Sequence, residues 1–332
     1  MTGPADVSEV AFEVLDGGLL TTIQDHGRPE WTHLGVPEGG AADRWSQAVA
    51  NHLVGNAAEA AVLEMTLVGP TLQAARALTI GLAGADLGAR LRGGRSLAPG
   101  RSIRLATGDI VEFPGDGASG GASGARAYLA IPGGIDVPLV LGSRSTCLAG
   151  AFGGLDGRPL RAGDRLVGGP DLVRPELAWA AATRSGPGDV LRILSVGSAD
   201  LGPLTASMWQ VGSASDRVGI RLDGPPLPPG SGGEVRTHGV AWGAVQVPPD
   251  GRPIVLGVDH QTTGGYRVAG VVIAADRPVL GQLGPGARVR LLETDPPAAR
   301  AALVDQHDAL AAGVAALRDA AGWVSLADHA GS

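Results

Sequence analysis

Apolar residues along this chain fall mostly in short runs, each closed by glycine, proline or aspartate: Ala77–Leu82, Ile110–Phe113, Ala127–Ile131, Val190–Val196, Ile254–Val258 and Val268–Ala274. Runs of that length with such boundaries predict strands. A Gly or Gly-Asp turn stands before an alternating or apolar run in Thr107–Val111, Arg161–Leu166, Gly186–Val190 and Gly284–Val289. Barrels and sandwiches round their corners in this way, so the chain is predicted to be mainly β. Two segments carry helical spacing instead. Ala41–Val54 places Trp45, Ala48, Val49 and Leu53 on one face and stops at Gly55, which suits the left-handed residue after a helix. Later, Asp295 can cap and Pro296 and Pro297 can begin a helix in which Leu303, Leu310, Val314 and Leu317 recur until Gly322. That terminal helix is expected to dock on the body or on a partner.

At 332 residues the chain has room for two domains. Candidate joints are the Gly/Ser stretch Gly115–Gly124, the Pro-containing region Gly169–Gly188, and Asp223–Gly233. The middle one separates a lobe over 10–175 from a second over 188–292, with a helical extension over 295–332.

Composition narrows the chemistry. All 26 cations are arginine against 33 acidic residues, a net charge of −7, so no phosphate-loop, Schiff-base or biotinyl lysine is present. An acidic chain without arginine clusters interleaved with aromatics lacks the footprint of a nucleic-acid binder. The single cysteine, Cys147, excludes an internal disulfide framework and a multi-cysteine metal site, and the seven histidines show no metal-binding helix motif, so no metal is expected. Met1–Glu9 does not read as a signal peptide, and no apolar run approaches ~20 residues. A cytoplasmic protein away from the membrane is the expectation.

Gly115–Gly120 matches the dinucleotide fingerprint and Gly117–Gly121 the serine-hydrolase elbow, but neither opens a helix, so both read as loop composition. Cys147 reads as a small buried thiol rather than a nucleophile. The most polar stretch on an apolar background is Asp259-His260-Gln261-Thr262-Thr263-Gly264-Gly265-Tyr266, directly after a strand-like run. Side chains that donate and accept, followed by two glycines that admit close backbone approach, suit an amide, carboxylate or phosphate ligand. A second constellation is Gln24-Asp25-His26-Gly27-Arg28 with His33 close behind; Asp25 and Arg28 serve equally well as a structural ion pair. Gln246 supplies an amide beside the turn Pro248–Gly251.

Read in order, Thr21–Arg28, His33–Pro37, Ala50–Asn56, Leu63-Glu64, Gly69-Pro70, Ala127–Ala130, Gly133–Pro138, Leu141–Thr146, Gly154–Arg158, Asp216–Leu222, Gln246–Gly251 and Asp259–Tyr266 resemble the biotin-dependent carboxyltransferase family, also called allophanate hydrolase subunit 2. The likeness runs from about Phe12 to Leu292 and leaves out both ends; Arg267 stands where the family often has proline. The resemblance implies two cyclophilin-like β-barrel lobes and a partner similar to allophanate hydrolase subunit 1, the B component of 5-oxoprolinase, together with its lactam-hydrolase A component. It implies the role of the C component in an ATP-dependent 5-oxoprolinase. Two alternatives are a carboxyltransferase acting on urea or a similar amide, with biotin supplied by another chain, and a non-catalytic regulatory protein. On that footing Asp259, Gln261 and Thr263 are expected to act on the substrate amide, with Gln24, Asp25, Arg28, His33, Arg144, Gln246, Thr262, Gly264, Gly265 and Tyr266 binding substrate. ATP is expected to be used by the complex.

Overall fold

The computed structural model describes residues 10–116, 124–171, 175–179, 189–197, 200–228 and 236–321. Met1–Glu9, most of the two glycine-rich motif matches, parts of all three joints, the turn at 186–188 and the helix stop at Gly322 lie outside the described residues.

The fold is mainly β, as the short apolar runs require. The first lobe holds β1 (Val10–Asp16), β2 (Leu20–Gln24), β3 (Val62–Thr66), β4 (Thr71–Ala74), β5 (Leu78–Gly84), β6 (Arg90–Leu91), β7 (Arg101–Leu105), β8 (Ile110–Glu112), β9 (Arg126–Ala130) and β10 (Arg165–Val167). They form two five-stranded sheets, ordered β10-β1-β4-β8-β6 and β2-β3-β9-β5-β7. Both sheets send side chains into one core that includes Phe12, Leu63, Met65, Leu72, Ile80, Leu105 and Leu129.

The second lobe holds β11 (Val190–Ser195), β12 (Met208–Val211), β13 (Gly219–Asp223), β14 (His238–Gly239), β15 (Ala244–Val247), β16 (Ile254–Leu256), β17 (Thr263–Gly264), β18 (Arg267–Val272) and β19 (Arg288–Glu293). Seven of these close a barrel, β11-β18-β15-β16-β13-β12-β19, sealed by parallel pairing of β11 with β19. Closure removes the free edges that an open sheet would expose. Trp209, fully buried, fills the barrel with Leu191, Ile193, Val245 and Val289.

Helix α1 (Arg44–Leu53) forms where the helical spacing predicts, with the Asp43 carboxylate accepting from Ser46 N at 2.9 Å as its N-cap. It lies so close to β5 that a Cβ on Gly81 would stand 2.2 Å from the Ala50 carbonyl oxygen. Besides the short α2 (Gly202–Thr205), two helices follow: α3 (Arg277–Gln282) and α4 (Pro296–Ala320). Asp295 caps α4 by accepting from Ala298 N at 2.8 Å, as expected. This terminal helix docks on the body. Leu317 packs with Trp45, Val49 and Tyr128 on the first lobe, whereas Ala302 packs with Ile273 and Ala275 and Gln306 Nε2 donates to Ala275 O at 2.9 Å on the second. Burying a leucine of this kind contributes about 1.5–3 kcal/mol, so α4 fastens both lobes together.

Candidate functional site

Strand β2 runs into Asp25, whose carboxylate organises a neighbouring loop. Its Oδ1 accepts from Gly27 N at 2.8 Å and Ser143 Oγ at 2.6 Å, and its Oδ2 from Arg144 N at 2.6 Å. Gln24, fully buried, donates from Nε2 to Thr22 Oγ1 at 3.0 Å and Thr146 O at 3.3 Å. Both residues therefore hold segment 143–146 against the end of β2. Arg28 is not paired with Asp25. It is 1% exposed, donates from Nη2 to Ser145 O at 2.6 Å, and lays its guanidinium 5.0 Å from the Phe152 ring centre. Burial pushes its pKa down, and Nη1 has no hydrogen-bond partner.

The two lobes meet through a buried ionic chain. Glu64, on β3, is 1% exposed. Its Oε2 accepts from Ala42 N at 2.8 Å and Tyr128 Oη at 2.9 Å; its Oε1 pairs with Arg217 Nη1 and lies 3.5 Å from Arg126 Nε. Arg217 comes from the second lobe, at the turn before β13. It grips Asp259 through Nε–Oδ2 at 2.7 Å and Nη2–Oδ1 at 3.0 Å, and donates from Nη2 to Gly40 O at 2.7 Å. Bidentate geometry of this kind fixes orientation as well as charge. Burial alone would raise the Glu64 pKa, but Arg217 and Arg126 hold it below the usual carboxylate range. Burial would lower Arg217, yet Asp259 and Glu64 push it above its ordinary value. Tyr128 is driven well above its ordinary value by burial and then by Glu64 and Asp43.

This chain anchors Asp259 opposite the loop Gly35–Gly40 of the first lobe. Gly39 N donates to Val258 O at 3.1 Å, and a Cβ on Gly35 would find only Thr262 Oγ1, at 4.0 Å. Nearby, Gln261 Nε2 donates weakly to Gln246 Oε1 at 3.5 Å, while the buried Gln246 Nε2 has no hydrogen-bond partner. Gly264 is required there, because a Cβ would lie 2.5 Å from Gln246 Nε2. Thr263 and Gly264 pair with Gly239 and His238 as β17 and β14, so the polar stretch is partly a strand. Gly265 and Tyr266 are exposed.

The structure thus sets Arg28 and Asp259 on either side of Gly39, Thr262 against Gly35, and Gln261 beside Gln246. Two other candidates make contacts of their own. His33 is exposed on a 3-10 turn (Pro29–Leu34) with Nδ1 2.8 Å from Glu30 O, and Arg144 reaches outward to Asp136 Oδ1 at 3.1 Å. Cys147 is buried and free, as its small-thiol reading predicts. Sequence reasoning missed Glu64 and Arg217 as site-forming residues. A signal existed for the first: an acid between the apolar residues Leu63 and Met65 in a strand is costly unless paired inside. Among the described residues no cluster of three or more His, Cys, Asp or Glu is placed to hold a metal ion, and no helix is long and apolar enough to cross a membrane.

Asp259, Thr262, Gln261 and Gln246 together supply a carboxylate acceptor, a hydroxyl and two amides, a set of groups able to hydrogen-bond a small polar molecule carrying both donors and acceptors. Known proteins share the likeness over most of the chain. The family described as the carboxyltransferase domain, subdomains A and B, matches residues 34–293. The chain is 36% identical over 303 residues to the C component of 5-oxoprolinase from Escherichia coli (strain K12), covering 89% of this chain and 95% of that one. It is 32% identical to the urea amidolyase of Lachancea kluyveri over 86% of this chain but only 17% of that one. The crystal structure of the K. lactis urea amidolyase superposes with a TM-score of 0.80 at 29% identity, over 92% of this chain and 20% of that one. Matched through both lobes, the chain belongs to the carboxyltransferase domain family.

Proposed function

We propose that the chain is the C component of an ATP-dependent 5-oxoprolinase, which converts 5-oxoproline, ATP and water to glutamate, ADP and phosphate together with an allophanate hydrolase subunit 1-like partner and a lactam-hydrolase component. The observation that carries this reading is the extent of the likeness. The chain accounts for 95% of a protein named as the 5-oxoprolinase C component, but for 17% of a urea amidolyase.

The chemistry of the polar stretch Asp259–Tyr266 supports a role in binding and orienting. A lactam is resonance-stabilised, so holding its carbonyl and N–H in fixed geometry is the contribution proposed for this chain. Asp259, already gripped by Arg217, offers remaining lone pairs as acceptors, while Thr262, Thr263 and Gln261 supply neutral partners. ATP is handled by the partner chains, consistent with the absence of lysine here.

A second reading is favoured by the TM-score of 0.80 to the K. lactis urea amidolyase: carboxyl transfer to urea or a similar amide, with carboxybiotin carried by another chain. Thr263→Ala and Gln261→Ala test the role of the polar stretch, since both side chains are exposed and their loss leaves the fold intact. Each is expected to lower turnover of the assembled complex; undiminished turnover in both rejects the assignment of this loop to substrate.

A further inference from the structure

The contacts that hold the two lobes together are uneven along their length. At one end α3 is bonded tightly to the first lobe. Ala125 N donates to Gln282 O at 2.9 Å and Arg126 N to Gln282 Oε1 at 3.0 Å, while Gln282 Nε2 donates to Arg126 O at 2.9 Å and Asp43 Oδ2 at 2.8 Å. The backbones touch there, since a Cβ on Gly281 would lie 2.2 Å from Ala42 O. Helix α4 crosses beside this contact, packed on Ile273 and Ala275 just ahead of α3 and on Trp45 of α1. Past Arg126, one side chain of the second lobe makes the crossing: Arg217 reaches Glu64 Oε1 and donates to Gly40 O at 2.7 Å. Beyond it Gly39 N donates to Val258 O at 3.1 Å, and a Cβ on Gly35 would find Thr262 Oγ1 only at 4.0 Å. Arg44 lies over the Trp242 ring at 5.0 Å, but its hydrogen bonds go to His26 O and Glu38 Oε1 in its own lobe.

The charges divide just as unevenly. Arg217 shares its guanidinium between Glu64 of the first lobe and Asp259 of its own, the latter through Nε–Oδ2 at 2.7 Å and Nη2–Oδ1 at 3.0 Å. If the lobes part at Arg217, it leaves with Asp259 as a paired unit, and Glu64 keeps Arg126 Nε at 3.5 Å, Tyr128 Oη at 2.9 Å and Ala42 N at 2.8 Å. Neither lobe then carries a buried charge without its counter-charge, the state that makes breaking most buried pairs costly. Parting at α3 instead would strip hydrogen bonds from backbone groups of both lobes. We propose that the lobes open about α3 as a hinge, with Arg217 as the latch that holds them shut on Glu64 and Gly40. The Asp259 side chain is only 10% exposed in the closed arrangement, and opening uncovers it. This hinge goes beyond the proposed function and does not depend on which substrate the complex turns over.

The test places pairs of spin labels on the full-length chain, with Cys147→Ala removing the native thiol, and reads distances by double electron–electron resonance. The outer pair uses two exposed positions, Leu139→Cys beside Val140, whose carbonyl accepts from Arg28, and Tyr266→Cys at the end of the polar stretch. The hinge pair uses Val68→Cys and Arg288→Cys, exposed on either side of the turn at Gly284 that follows α3. Losing a hydrogen bond to a charged group shifts an equilibrium by at least about tenfold. Glu64→Gln is therefore expected to raise the open-to-closed ratio at the outer pair by at least about tenfold, and Arg217→Met, which removes both crossing bonds, by at least about a hundredfold. The hinge pair keeps its distance in both. Thermal melting checks each fold, and Glu64→Gln, which preserves side-chain volume, decides the matter should Arg217→Met not fold. One unchanged distance at the outer pair, or lengthening of both pairs together, overturns the hinge. Opening in a chain that adds nothing to 5-oxoproline turnover keeps the hinge and rejects the 5-oxoprolinase reading.

Discussion

Replacing Arg217 with methionine removes the guanidinium from the centre of the inter-lobe chain while keeping a side chain of similar reach. Glu64 loses its closest cation and keeps Arg126 Nε at 3.5 Å, Tyr128 Oη at 2.9 Å and Ala42 N at 2.8 Å. Asp259 loses both of its Arg217 bonds and Gly40 O loses its donor. Leaving one member of a buried ion pair uncompensated costs about 3–5 kcal/mol. A second change, Glu64→Gln on top of Arg217→Met, removes the stranded charge, and contacting residues of this kind couple by about 0.5–3 kcal/mol. The double variant is therefore expected to recover part of the loss. The pH dependence has a definite sign. In the wild type Glu64 is held below its unfolded value of 4.5, so its stabilisation is present above that pH and is lost as pH falls through the folded value. Without Arg217, burial drives the Glu64 pKa upward, protonation relieves the stranded charge, and the deficit of Arg217→Met relative to wild type shrinks on acidification from pH 7 to 5. Urea unfolding followed by tryptophan fluorescence reads all three quantities. A loss below about 1 kcal/mol, or one that neither Glu64→Gln nor lower pH reduces, refutes the description of this chain as a buried, coupled network.

Two further outcomes follow from the packing. Gly313→Ala in an exposed helix would stabilise by about 1 kcal/mol, but here the new Cβ would lie 2.2 Å from Trp179 Cζ2, whose ring stands edge-on to Trp45 with centroids 6.4 Å apart. Thermal melting should show a loss of about 1–3 kcal/mol; a gain in stability contradicts the docking of α4. His260 is 3% exposed, and burial lowers its pKa below the ordinary 6.5 despite Nδ1 lying 2.6 Å from Gln261 O. The unfolded chain then binds the proton first, so stability falls as pH drops through 6.5, by at most about 1.4 kcal/mol per pH unit for that proton. His260→Gln should flatten this part of the pH–stability curve, and an unchanged slope places the titration elsewhere.

The short apolar runs were sufficient to read the fold class, because strands closed by glycine turns leave a local mark at every corner. Helix α1 and the Asp295 cap of α4 were legible for the same reason: spacing and capping are local. The lock between the lobes was not. Glu64 and Arg217 are separated by more than 150 positions, and neither carries a signature of its partner; only the anomaly of a charge inside an apolar strand hinted at the first. Asp25 and Arg28 illustrate the converse. Close in sequence and opposite in charge, they are not joined by an ion pair: Asp25 captures the hydroxyls of Ser143 and Ser145, and Arg28 turns to Ser145 O and Phe152. The contacts of His33 with Glu30 O inside a 3-10 turn and of Arg144 with Asp136 depend on folded loop geometry that sequence order does not show.

The most direct test of the central claim is ATP-dependent release of glutamate from 5-oxoproline by this chain co-purified with the proteins encoded beside it, against the same preparation lacking it. The account predicts glutamate formation that requires this chain. Full activity without it, or a formed complex that releases none, contradicts the account.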